Sequence, residues 1–119
     1  MYEYRAEVIK VVDADTLDLK VDLGFKISQE MRVRLARIDA WEVRGEEREK
    51  GLEATQFVLE LFANLEEDYI VIRTDKDKTG KYGRYLAEII IMNPDGTEKF
   101  NLNELLVKEG HAGWYGRKK

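Results

Sequence analysis

Cysteine is absent from the 119 residues, which removes both a disulfide framework and a thiolate metal centre. Histidine occurs once, as His111, so no site built on several imidazoles is available. Any intrinsic metal must be held mainly by oxygen, which favours calcium, magnesium or manganese. No run approaches the roughly 18 apolar residues of a membrane span. The first ten residues, MYEYRAEVIK, lack the basic n-region and apolar h-region of a signal peptide. The expectations are a cytoplasmic location and no membrane partner. Repeats, low-complexity segments and linkers are missing too, so residues 1–119 are read as a single domain. The last thing lacking is an excess of positive charge. A net charge of −4 argues against a polyanion partner, but the charge is uneven. Acid gathers at 42–53 and 60–68, whereas 75–84 (DKDKTGKYGR) is net positive and the chain ends RKK. A basic stripe on an acidic protein binds polyanions more weakly than a basic protein would.

What is present is ordinary core material patterned in two periods. A 44% hydrophobic content suffices for one core without covalent staples at this length. Residues 4–12 read as a strand. Residues 16–23 alternate without error, Leu17, Leu19, Val21 and Leu23 on one face and Thr16, Asp18, Lys20 and Asp22 on the other, as a half-buried strand does. Gly24 predicts a turn into a third strand from about 30 to 38. Over 46–64 the period lengthens. Ala54, Phe57, Val58, Leu61 and Leu65 recur at three- and four-residue steps opposite Glu53, Gln56 and Glu60, which predicts an amphipathic helix. Strand character returns at 69–74 and 85–92. Asn93-Pro94-Asp95-Gly96 marks a hairpin. Asn101 with Glu104 three residues on predicts a capped second helix, ended by Gly110. The expected fold is α+β, mainly β: a five-stranded OB-type barrel with two to three helices packed on it. A monomer is expected.

Three segments carry charges that a solvated face alone does not explain. Asp13 and Asp15 occupy the first turn, Arg34, Asp39 and Glu42 the third strand and its exit, and Lys81, Tyr82 and Arg84 the entry to the strand at 85–92. If the first and third strands are neighbours, Asp15 and Asp39 converge at one rim. Two such carboxylates repel unless a positive group stands between them, and a hard divalent cation meets that need. Arginine forks onto phosphate oxygens, so a metal with Arg34 and Arg84 suits a phosphate gaining charge in a transition state. Glu42, three residues past Asp39, is placed to orient or deprotonate a water. Together these parts describe phosphodiester hydrolysis. Asp13 is read as a turn-former, Arg32 and Arg37 as a solvated face, His111 as structural, and Tyr2 and Tyr4 as plain strand residues.

The same segments resemble the staphylococcal nuclease (thermonuclease) family. Val12-Asp13-Ala14-Asp15-Thr16 resembles its D-G-D-T turn, and Arg34 through Glu42 its R-L-x-x-I/V-D-x-P-E segment. Lys81-Tyr82-Gly83-Arg84 resembles its K-Y-G-R, and Asn103 through Ala112 its N-E-x-L-V-x-x-G-x-A. The resemblance is colinear from about residue 6 to 115. It implies an OB-fold barrel with helices and a calcium-dependent nuclease acting on DNA and RNA and leaving 3′-phosphates. On matching positions it implies Asp15, Asp39 and the Ala40 backbone carbonyl as calcium ligands, and Arg34 and Arg84 as phosphoryl-binding groups. Glu42 becomes the general base or water-orienting group, and Lys81 and Tyr82 contact a neighbouring phosphate. Tyr115, with Trp114 before it, loosely matches a base-stacking tyrosine.

The chain departs from the pattern at three places. Ala14 replaces a glycine, which is strained only if φ is positive there. Ala40 replaces a threonine, without consequence for a carbonyl ligand. Trp41 replaces a proline, giving up rigidity or offering a stacking face for a base. A second reading on the same barrel is a non-catalytic nucleic-acid or protein binding module, because fold does not fix function.

Overall fold

Strict alternation in sequence becomes a long curved meander in the computed structural model, which describes residues 2–42, 45–74 and 85–114. Strand β1 (Tyr2–Asp13) turns into β2 (Thr16–Gly24), which turns into β3 (Ile27–Leu35). After the short β4 (Ile38–Ala40) comes one turn of 3-10 helix (Gly45–Glu47) leading into helix α1 (Arg48–Ala63). Strands β5 (Tyr69–Thr74), β6 (Tyr85–Met92) and β7 (Glu98–Asn101) follow, then helix α2 (Leu102–Lys108) and strand β8 (Ala112–Trp114). No helix among the described residues is long and apolar enough to cross a membrane.

The sheet runs β3-β2-β1-β5-β6 and closes on itself where β3 meets β6 in parallel, Val33 opposite Tyr85 and Leu35 opposite Ala87. Five strands closed this way, with helices packed outside, are the expected OB-fold barrel. The inward rows are Leu17, Leu19 and Val21 of β2, Val33 and Leu35 of β3, Ile70 and Ile72 of β5, and Ile89 and Ile91 of β6, each at most 2% exposed. Each such side chain contributes about 1.5–3 kcal/mol by leaving water. Helix α1 lays Ala54 and Val58 on the barrel, with Phe57, Leu61 and Leu65 partly buried beside them, the face that its three- and four-residue steps predict.

Helix α2 begins and ends as its sequence predicts. The Asn101 side chain accepts the Glu104 N–H at 3.1 Å. At the other end Gly110 has φ +79°. The Gly110 and His111 amides donate back to the Val107 and Leu106 carbonyls at 3.1 and 2.8 Å, a Schellman closure.

Three features differ from the sequence-based expectation or go beyond it. β1 and β3 are not neighbours, since β2 lies between them. The third strand stops at Leu35, because Arg37 takes a left-handed φ of +69° that no strand tolerates, and the chain resumes as β4. β4 in turn pairs with β8, Ile38 opposite Trp114 and Ala40 opposite Ala112. Three-residue strands are too short to carry a readable period.

Candidate active site at the rim of the barrel

The β1–β2 turn is built by Asp13, whose Oδ1 accepts the Asp15 N–H at 3.3 Å, an Asx turn. Ala14 is buried and is not among the residues with positive φ, so alanine is unstrained where the family has glycine. The turn sends the Asp15 side chain inward, leaving the residue 8% exposed. Register does the rest. Thr16 pairs with Arg34, and the Leu35 N–H donates to the Asp15 carbonyl at 2.8 Å. The end of β3 is thereby tied to the start of β2, and Arg34 meets Asp15 through the β2–β3 pairing rather than through a β1–β3 contact.

Arg34 organises this rim. Its Nη2 donates to Asp39 Oδ1 at 3.0 Å and to Asp15 Oδ2 at 3.4 Å. Its Nη1 donates to the carbonyls of Ile38 and Leu35 at 3.0 and 3.3 Å. Asp15 Oδ2 also accepts the Ala40 N–H at 3.0 Å, and its Oδ1 the Thr16 hydroxyl at 3.2 Å. Asp15, Arg34, Asp39 and Ala40 are thus gathered within one network. The Asp15 side chain is 12% exposed and that of Asp39 45%.

Burial alone would raise the Asp15 carboxyl. Hydrogen bonds from Asp13 and the Ala40 amide, the Arg34 charge and the Thr16 hydroxyl outweigh it and hold Asp15 below its ordinary value. Asp13 goes the other way, pushed up to about 6 by burial and by the Asp15 carboxyl beside it. The two shifts have opposite linkage signs. A raised acid penalises the fold at pH values above its folded pKa, and the penalty is relieved as pH falls from about 6 toward 3.8. The lowered Asp15 stabilises above 3.8, and that contribution is lost as pH falls through its folded value. Replacing Asp13 by asparagine, which keeps an acceptor for the Asp15 N–H, is therefore expected to stabilise the metal-free protein at pH 8. The unscreened shift corresponds to about 3 kcal/mol, and solvent screening at this half-buried position reduces it to about 1 kcal/mol. At pH 4 the gain should vanish. Urea unfolding of both proteins in chelator at the two pH values checks this, and a gain of equal size at pH 4 would refute the assignment.

The segment that carries Asp39 is braced from the far end of the chain. The Trp41 N–H donates to the His111 carbonyl at 3.4 Å and its indole Nε1–H to the Gly110 carbonyl at 2.7 Å. Lys50 Nζ stands 4.9 Å from the centre of the indole ring, and the His111 ring packs on Phe57 at 4.5 Å, the structural role expected of it. Trp41 thus supplies by tertiary contact the fixity that a proline supplies locally. Arg37 is more than a solvated charge. It pairs with Glu88 at 2.6 Å and Glu104 at 3.5 Å and lies over the Trp114 ring, pinning the left-handed turn between β3 and β4. Nothing in the local sequence marks that role. Arg32 does lie on an exposed face, paired with Asp18 at 2.8 Å.

Glu42 stands exposed at the exit of β4. Its N–H donates to Glu47 Oε1 at 3.1 Å, and its carboxylate forms no hydrogen bond or ion pair with the Asp15–Arg34–Asp39 group among the described residues. Lys81, Tyr82, Arg84 and Tyr115 lie outside the described residues. Tyr85, the residue after Arg84, pairs with Val33 beside Arg34.

As a cation site the rim offers two carboxylates directed at the same guanidinium nitrogen, with the Ala40 carbonyl nearby in sequence. Among the described residues no three carboxylate or imidazole side chains cluster. Calcium takes six to eight oxygens. The donor chemistry, all oxygen, is of the kind that a hard divalent ion takes.

Two curated proteins and one family model match this chain. "Protein ParB" of Escherichia coli is 30% identical over 119 residues, which cover 95% of this chain and 58% of that protein. "Uncharacterized protein MJ1439" of Methanocaldococcus jannaschii is 30% identical over 131 residues, covering 94% of this chain and 59% of that protein. The chain spans about three-fifths of the length of the curated relatives it matches. The family model described as staphylococcal nuclease homologue matches residues 32–119. That match takes in the end of the strand that bears Arg34 and everything beyond it, and the chain belongs to the staphylococcal nuclease homologue family.

Proposed function

We propose that this domain is a calcium-dependent nuclease that hydrolyses phosphodiester bonds of DNA and RNA by attack of water, leaving 3′-phosphates. The observation that carries the reading is the single guanidinium nitrogen of Arg34 shared by Asp15 and Asp39. An arginine aligned beside two carboxylates at a solvent-facing rim suits a site that handles an anion and a hard cation together. Asp15, Asp39 and the Ala40 carbonyl are the groups that would hold calcium, which supplies Lewis-acid charge to a phosphoryl oxygen when bound.

The remaining work falls to side chains. Arg34 meets a phosphate oxygen by giving up its contact with Asp39, the more exposed of its two carboxylates, while its bonds to the Ile38 and Leu35 carbonyls keep the guanidinium aimed. Arg84 acts as the second phosphoryl-binding arginine. Glu42, exposed at the exit of β4, orients or deprotonates the attacking water. Lys81 and Tyr82 contact a neighbouring phosphate, and Tyr115 and Trp41 are the candidate faces for a base. Backbone contacts dominate, so binding weakens steeply with salt.

With two carboxylates and one carbonyl from the protein, calcium is expected to bind with a dissociation constant on the order of 10⁻⁴–10⁻³ M, measurable by calorimetry. Heat-denatured DNA should be degraded when calcium is added at millimolar level and spared in chelator. Full activity in chelator would remove the metal assignment. The second reading, a binding module without catalysis, draws on the net charge of −4. It predicts no cleavage of a labelled oligonucleotide at any calcium concentration, whether the partner that the module binds is a nucleic acid or a protein.

A further inference from the structure

The end of the barrel away from the β1–β2 turn opens into a cavity of about 250 Å³. Its lining runs from Leu23 and Val21 to Val33, and none of Asp15, Arg34 and Asp39 is part of it. Its walls are Val21, Met31, Val33 and Ile72, with Tyr4, Tyr85 and Gln29 alongside, and no charged side chain among the described residues lines it.

One residue in this lining is out of place. Thr74 occupies the last inward position of β5, after Ile70 and Ile72, and is 8% exposed. Its hydroxyl has no hydrogen-bond partner. The other buried polar residues among those described are Asp15, Thr16 and Asn103, and all are bonded. A buried hydroxyl without a partner costs stability, and valine would fill the same space without that cost. Thr74 lines the cavity, and a turn of χ1 re-aims its hydroxyl without moving the backbone.

We propose that this cavity takes one nucleobase, from a free nucleoside or from a single strand, with the Thr74 hydroxyl bonding the edge of the ring. The described lining is uncharged, which suits an uncharged group better than a phosphate. The volume falls below the range typical of drug-sized ligands, so the occupant is one ring and at most part of a sugar. Tyr4 and Tyr85 supply π-faces, which accept any base, and a hydroxyl both donates and accepts, so the site discriminates little between bases. Choosing a nucleobase among neutral rings rests on the nuclease reading. Val33 and Tyr85, paired across the barrel closure, are also the chain neighbours of Arg34 and Arg84. Val33 thus links the cavity lining to Arg34 along one strand.

The test uses the full chain in chelator, where hydrolysis cannot interfere. Thymidine and a short oligothymidylate are titrated while the methyl resonances of Val21, Met31, Val33 and Ile72 are followed. Saturable shifts of these methyls with either probe are expected, and a response to the oligonucleotide alone marks the strand as the source of the base. Thr74→Val should weaken the binding about fivefold while raising the melting temperature, and Thr74→Ser should restore it. Unshifted methyls at millimolar probe, or equal affinity in Thr74→Val, would mean a cavity that holds water only. Calcium-stimulated cleavage of denatured DNA is scored separately on the same protein preparations with calcium in place of chelator. Intact cleavage with silent methyls overturns this site alone, and methyl shifts without cleavage overturn the nuclease reading alone.

Discussion

Turnover of denatured DNA is expected to fall about 100- to 1,000-fold when Arg34 is replaced by lysine, the larger of the two effects argued here. Lysine keeps the charge but not the fork. Arg34 uses Nη1 for the Ile38 and Leu35 carbonyls and Nη2 for Asp39 and Asp15, and one ammonium cannot span that set while also meeting a phosphate. Some stability is lost with it, on the order of 1–2 kcal/mol, because bonds to charged groups are among those removed. A melting curve beside the kinetics separates the two effects. The fall in turnover must persist at temperatures where the variant is fully folded. Lysine turning over at the wild-type rate would end the proposal that Arg34 clamps the phosphoryl group.

Replacing Asn103 by alanine is expected to destabilise the protein by about 3–4 kcal/mol without touching any proposed site residue. Asn103 is fully buried. Its Nδ2 donates to the Ala36 and Ala87 carbonyls at 2.9 and 3.2 Å, and its Oδ1 accepts the Ile89 N–H at 3.1 Å. One side chain of α2 therefore satisfies backbone groups at the exit of β3 and along β6. Alanine removes these partners from the Ala36 carbonyl and the Ile89 N–H and opens a void, while the Ala87 carbonyl keeps the Ala36 N–H at 2.8 Å. The carbonyl of Ala36 is the last anchor before the left-handed turn at Arg37, so the loss should also loosen the segment bearing Asp39. Urea unfolding measures the first effect. A loss below about 1 kcal/mol would show that water replaces the amide, and the hub would then carry little.

Residues near in sequence were the legible part. The clean alternation over 16–23 is β2, the three- and four-residue steps over 46–64 are α1, and Asn101 and Gly110 cap α2. Asp13 forms the turn its residue type suggests. In each case the deciding interaction lies within a few residues: a pleat, a helical turn, or a side chain reaching its own backbone. The candidate site residues were legible in a second way, through motifs in the same order as those of the family.

Which strands are neighbours was decided only in three dimensions. Sequence alone left open whether β1 and β3 meet; the barrel inserts β2 between them and brings Arg34 to Asp15 through the Thr16–Arg34 pair. The pairing of β4 with β8, the bonds of Trp41 to Gly110 and His111, and those of Asn103 to Ala36 join residues about seventy positions apart. Such contacts are set by closure of the whole barrel, because no local period records which distant edge a strand will find. Composition and order named the charged groups of this protein. The gathering of Asp15 and Asp39 around the Arg34 guanidinium was settled by register and by the packing of α2, which act across the chain rather than along it.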